Sequence, residues 1–110
     1  MMIEAKKRVV FCYPQPARDL SLASEHGEVV FLFKDWSEVG TPFNPDECVK
    51  RIKARLDEIG FDPINDLMGL TGTLLHTCLF CAVITTRYKS VKAVMFNAKS
   101  SKYTVRQIRL

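Results

Sequence analysis

Residues 44–70 read NPDECVKRIKARLDEIGFDPINDLMGL, and the change of period inside this stretch decides the fold. Asn44 suits an N-cap, Pro45 the first helical position, and Asp46 and Glu47 the positive end of the helix dipole, with Glu47 placed as in a capping box. Cys48, Ile52, Leu56 and Ile59 then fall on one stripe, Lys50, Lys53, Arg55 and Asp57 lie outside it, and Gly60 supplies the stop. A helix is therefore predicted over 45–59. Asp62 and Pro63 turn the chain, and Leu67–Leu70 is a short apolar strand leading into Thr71, Gly72 and Thr73.

Working outward, the same grammar repeats. Arg8–Tyr13 (RVVFCY) is a β-rich run ended by Pro14 and Pro16, expected to be buried on both faces. Asp19 can cap a short helix through Leu20, Leu22 and Ala23 that stops at Gly27. Glu28–Phe33 (EVVFLF) is a second strand. Lys34–Phe43, which carries the single tryptophan Trp36, has no period and reads as a loop. Beyond Thr73 a second long helix spans Leu74–Tyr88, and Val91–Ala98 and Tyr103–Leu110 form an antiparallel hairpin across Lys99–Lys102. The alternation of strands and helices predicts one α/β domain over residues 1–110: a small Rossmann-like, mainly parallel sheet with helices on its faces and an antiparallel C-terminal hairpin strand.

Length and charge bound what such a domain can do. The chain has 110 residues, room for one core but not for a deep cleft between lobes, so a ligand site is expected to be shallow or shared. No run approaches a membrane span, and the start shows no signal-peptide core, which predicts a cytoplasmic protein. The four cysteines, Cys12, Cys48, Cys78 and Cys81, sit in apolar patterns and read as reduced core thiols. All 12 acids lie in the first 66 residues, which hold nine bases, a net of −3. From residue 67 onward the charges are Arg87, Lys89, Lys92, Lys99, Lys102, Arg106 and Arg109, a net of +7. A one-signed segment attracts anions, although a solvated basic face explains it equally well.

Ligands of parallel sheets gather at the carboxyl ends of the strands. The turn Thr71, Gly72, Thr73 before the second long helix is placed for an anion, because free N–H groups would point there. Tyr13, Gln15, Arg18 and Asp19 lie at this edge after the first strand and Lys34, Asp35 and Trp36 after the second, and from among them Arg18 and Lys34 could add a phosphate contact and Trp36 or Tyr13 a stacking ring. Arg87, Lys89, Lys99 and Lys102 sit at loops or element ends where they could meet nucleic acid or an acidic partner. On the second helix Leu74, Leu75, Cys78, Leu79, Ala82 and Thr86 are read as the core stripe. Phe80 and Ile84, with His76 beside them, are read as a homodimer contact. No dinucleotide or phosphate-loop fingerprint is present, and His76 and Cys78 project about 200° apart on a helix, so neither a cofactor nor a metal is expected. Neither histidine has the neighbours of a nucleophilic triad, and no catalytic residue is assigned.

The string RDLSLASEHGEVVFLF at 18–33 and the stretch from Phe61 to the end resemble small α/β proteins encoded by bacteriophages. The matching positions are Asp19, Leu20, Ser21, Gly27, Asp62, Pro63, Asp66, Gly72, Tyr88 and Tyr103. The resemblance implies an accessory protein acting in the host cytoplasm and carries no catalytic residues with it. Together these readings predict a non-enzymatic binding module for an anionic partner: a nucleotide-like ligand, nucleic acid or an acidic host protein. Two alternatives stand beside it. One is a small enzyme on a nucleotide or phosphate ester using Asp19, Asp35 or His76. The other is a factor that inhibits a host protein through an apolar helix surface.

Overall fold

The computed structural model describes residues 7–15, 19–41 and 43–110. Five strands, β1 (Arg8–Phe11), β2 (Glu28–Phe31), β3 (Asp66–Gly69), β4 (Ser90–Asn97) and β5 (Lys102–Arg109), form one sheet in the order β2-β1-β3-β4-β5. β1 pairs in parallel with β2 and β3, β3 in parallel with β4, and β4 antiparallel with β5. The predicted α/β class and the mainly parallel sheet with its C-terminal hairpin are therefore present. β1 runs through the middle, and Val9, Val10 and Phe11 are fully buried, as an uninterrupted apolar strand requires.

The helices are a 3-10 helix over Leu20–His26, a one-turn α1 (Trp36–Val39), α2 (Pro45–Ile59) and α3 (Leu74–Arg87). α2 keeps its expected bounds: Asn44 accepts from the Glu47 amide, and Gly60 closes it in the left-handed region at φ 64°. Cys48, Ile52 and Leu56 are its buried stripe, and Ile52 and Leu56 each contribute about 2 kcal/mol by burial. α2 and α3 share one core with Val10, Cys12, Met68 and Ala93, whereas Leu20 and Ala23 of the 3-10 helix pack with Val9, Phe11, Leu67, Val94 and Tyr103 on the other side of the sheet. All five strands differ from their expected bounds by one or two residues. β1 and β2 leave the ladder at Phe11 and Phe31, yet the Leu32 and Phe33 amides still donate to the Phe11 and Cys12 carbonyls. The segment expected as loop contains α1, because Asp35 caps it by accepting from the Ser37 amide at 2.9 Å.

The orientation of α3 is a correction. Phe80 and Ile84, assigned to a subunit contact, are 1% and 0% exposed, and His76 and Val83 are buried with them. Leu74, assigned to the core, is 83% exposed, Leu75 and Cys78 are also exposed, and Leu79 is half-buried. The cause is geometric. α3 starts beyond the end of β3, so its first turn overhangs the sheet, and the i, i+4, i+7, i+8 set 76, 80, 83, 84 carries the bulk that fills the space above β1 and β4. A helix apolar nearly all round leaves periodicity too little contrast to choose between these faces.

At the amino edge of the sheet Arg8 forks onto Asp66, with Nε 2.9 Å from Oδ1 and Nη2 2.6 Å from Oδ2, and Nη1 donates to the Ile59 carbonyl at 3.0 Å. The hydrogen bond to Asp66 outweighs partial burial and raises the guanidinium pKa further. Asp66 also accepts from the Asp62 amide at 2.8 Å. One buried carboxylate thus joins β1, β3 and the turn after α2.

Candidate functional site

The connection from β1 to β2 runs through the 3-10 helix on one face, while those from β2 to β3 and from β3 to β4 run through α2 and α3 on the other. Successive crossovers therefore leave β1 and β3 in opposite directions, and a crevice opens beyond their carboxyl ends, the position ligands take in open parallel sheets. Tyr13, Pro14 and Gln15 line it from β1, Gly72 and Thr73 from β3, and Trp36 from the segment after β2, around a hollow of about 230 Å³. Beyond the Gln15–Gly72 saddle lies a second hollow of about 370 Å³ lined by Leu70, Leu74, Thr77, Met95 and Phe96. β4 creates its outer wall by running past the end of β3, whose ladder stops at Gly69 opposite Val94.

The saddle is built from side chains that satisfy one another. Gly40 O can only accept, so His76 Nε2, 3.0 Å away, carries the proton and Nδ1 is the acceptor. Tyr13 Oη, 3.0 Å from Nδ1, donates to it and accepts the Thr73 amide at 2.8 Å. The rings meet edge to face at 5.5 Å. Gln15 Oε1 accepts from the Thr71 hydroxyl and from the Gly72 amide at 3.4 Å, and the Thr77 hydroxyl donates to the Thr71 carbonyl at 3.0 Å. Gly72 sits at φ 108°, and a Cβ there would come within 2.9 Å of the Tyr13 ring. Glycine is required because the tyrosine leans on it.

This geometry revises the anion corner. The Gly72 and Thr73 amides, expected to face a ligand, are taken by Gln15 and Tyr13, and Thr71 is buried. Of the predicted ligand residues, Tyr13, Trp36, Gly72 and Thr73 converge on the smaller hollow. Lys34 is exposed after β2. Asp19 caps the 3-10 helix by accepting from the Ser21 amide and hydroxyl, and Arg18 lies outside the described residues. The acid–base candidates hold structural posts: Asp35 caps α1, its pKa lowered first by the Ser37 hydroxyl, and His76 is a buried strut between Tyr13 and Gly40. Gln15, expected at this edge, lines the hollow and braces the turn, whereas nothing in the sequence marks Gly40 as a partner of the site. A buried imidazole demands two partners, but nothing in the sequence says that one is a carbonyl 36 residues upstream.

The basic residues divide. Arg87, exposed at the end of α3, donates to Asp57 at 2.8 Å and joins α3 to α2. α2 and α3 run antiparallel to the strands, so Arg87 and Lys89 lie at the amino edge. Lys99 and Lys102 lie at the hairpin tip, at the carboxyl edge beside the crevice. The eight residues of β4 separate the two pairs by roughly 25 Å, and no single basic stripe joins them. Trp36, Phe43, Leu74, Leu75 and Met95 are exposed and lie at the carboxyl edge with Lys34, Lys99 and Lys102.

Fold and crevice define a small α/β protein with a mainly parallel sheet and a shallow, tightly braced hollow at its strand ends. Residues 4–110 match the family described as Phage Pam3 gp32-like protein, and the chain belongs to that family. No curated protein and no solved structure matches the chain. Among the described residues no helix is long and apolar enough to cross a membrane.

Proposed function

We propose that this phage protein is a non-catalytic accessory module of the host cytoplasm that docks onto an acidic host protein through the carboxyl edge of its sheet. One observation carries the reading: exposed Trp36, Phe43, Leu74, Leu75 and Met95 share that edge with Lys34, Lys99 and Lys102. Exposed aromatic and aliphatic anchors rimmed by charge are the make-up of protein-binding surfaces. Nucleic acid is less well served, since the basic residues are split between opposite edges and Arg87 is tied to Asp57. A homodimer through this edge would bring Lys99 and Lys102 of two copies toward like charge.

A nucleotide-like ligand, as a Rossmann-like arrangement suggests, is the second reading. It is favoured by the convergence of Tyr13, Trp36, Gly72 and Thr73 on one hollow, and weakened by the loss of the corner amides to Gln15 and Tyr13.

The test is affinity capture from host extract with the wild type, a Trp36→Ser/Leu74→Ser variant, and an Ile64→Ser control, Ile64 being exposed at the opposite edge. The wild type and the control are expected to retain one host protein that elutes with salt and is absent from the double variant. Equal retention by all three overturns the reading.

A further inference from the structure

Gln15 bears on what the crevice recognises. The Gly72 N–H can only donate, so the amide atom it meets is the oxygen, and Nε2 is the other end of the group. Among the described residues no hydrogen bond uses Gln15 Nε2, although the residue is only half exposed and lines both hollows. Two donors thus stand on the saddle beside the larger hollow, whose lining mixes Thr71 and Thr77 with Leu70, Leu74, Met95 and Phe96, with Lys99 and Lys102 at the hairpin tip beyond it. No acid occurs from residue 67 onward, so the α3–β4 wall of the larger hollow presents no negative charge.

We infer that the crevice reads an acidic segment of a partner protein. A carboxylate accepts from Gln15 Nε2, the neighbouring apolar side chain enters the 370 Å³ hollow between Leu74 and Met95, and a further carboxylate meets Lys99 or Lys102. This rests on the docking reading above and assigns its specificity to one side chain. Donors oriented by existing bonds lose little freedom on binding, and hydrogen bonds to charged acceptors are the stronger kind. Gln15 is a specificity residue here because its acceptor end is spent on the fold and its donor end, among the described residues, is not.

Gln15→Glu separates the two ends. It keeps an oxygen for Thr71 and Gly72, and replaces the donors with a charged acceptor. The probe is a fluorescein-labelled peptide, Glu-Asp-Leu-Glu-Asp-Leu-Glu-Asp, followed by anisotropy at low salt. The wild type is expected to bind saturably and Gln15→Glu about 10- to 100-fold more weakly, with its melting temperature within about 2 °C of wild type. Lys102→Glu, in the exposed hairpin tip, serves as the second variant if Gln15→Glu fails to fold, and weakens binding without touching the saddle. Absence of saturable binding to the wild type overturns the inference, as does tighter binding of an oligothymidylate of equal charge. Unchanged binding in Gln15→Glu, with loss in Trp36→Ser/Leu74→Ser, overturns the role of Gln15 and leaves the docking reading standing. Failure of the host-extract capture would instead remove the docking reading itself.

Discussion

Tyr13 Oη stands 3.0 Å from His76 Nδ1 across 63 residues of sequence, and this bond joins the loop after β1 to the first turn of α3. The same hydroxyl receives the Thr73 amide, and the same imidazole reaches Gly40. The floor of the crevice is therefore braced by a linked circuit of donors and acceptors through Tyr13, Thr73, His76 and Gly40. Tyr13→Phe leaves the Thr73 amide without its acceptor and Nδ1 without its donor, and is expected to cost about 2–3 kcal/mol in urea unfolding. A loss under 0.5 kcal/mol would contradict the circuit.

The glycines separate space from conformation. At Gly69 a Cβ would lie 2.4 Å from the Phe11 ring, whereas at Gly60, φ 64°, nothing lies within 4 Å. Gly60→Ala should cost about 1 kcal/mol for the left-handed backbone. Gly69→Ala should cost more, about 3 kcal/mol, by displacing Phe11 from the sheet core. Thermal melting of both variants checks the order, and the reverse order would contradict the packing described.

Removing Arg8 strands Asp66 in the interior with the Asp62 amide as its remaining partner, and frees the carbonyls at the end of α2. Arg8→Met should destabilise the protein by about 3 kcal/mol in denaturant unfolding. Asp66→Asn, which spoils the fork and keeps the volume, should fall between that variant and wild type.

Burial pushes the Cys12 thiol up to about 12, with neighbouring Cys48 adding to it. The folded thiol is then neutral where the unfolded one ionises, so its contribution is full below about 9 and is lost as pH climbs from there toward 12. Unfolding free energy measured from pH 8 to 11 should decline in wild type and decline less steeply in Cys12→Ala. Exposed Cys78 should be the first thiol labelled by a maleimide at pH 7.5, and Cys12 should stay unlabelled until the chain unfolds.

The cap and stop around 45–59, and the strand and hairpin periods, are written locally and are legible in the sequence. They depend on residues within one turn of each other. The inward face of α3 is not legible because it is chosen from far away: Tyr13 and Gly40 bind His76, and Phe80 and Ile84 follow it inward. The turn before α3 is legible but the state of its amides is not, since a TGT turn looks the same whether its amides face a ligand or are taken by Gln15 and Tyr13. Asp19 and Asp35 show the same limit, because a carboxylate capping a helix and one free for proton transfer share one letter.

The central claim, that the carboxyl edge is the working surface, is tested most directly by placing a photo-reactive benzophenone side chain at position 74 or at position 64 and irradiating the protein in host cells. A single cross-linked host protein from position 74, absent from position 64, is the expected result. Equal adducts from both positions, or an adduct from position 64 alone, would contradict it.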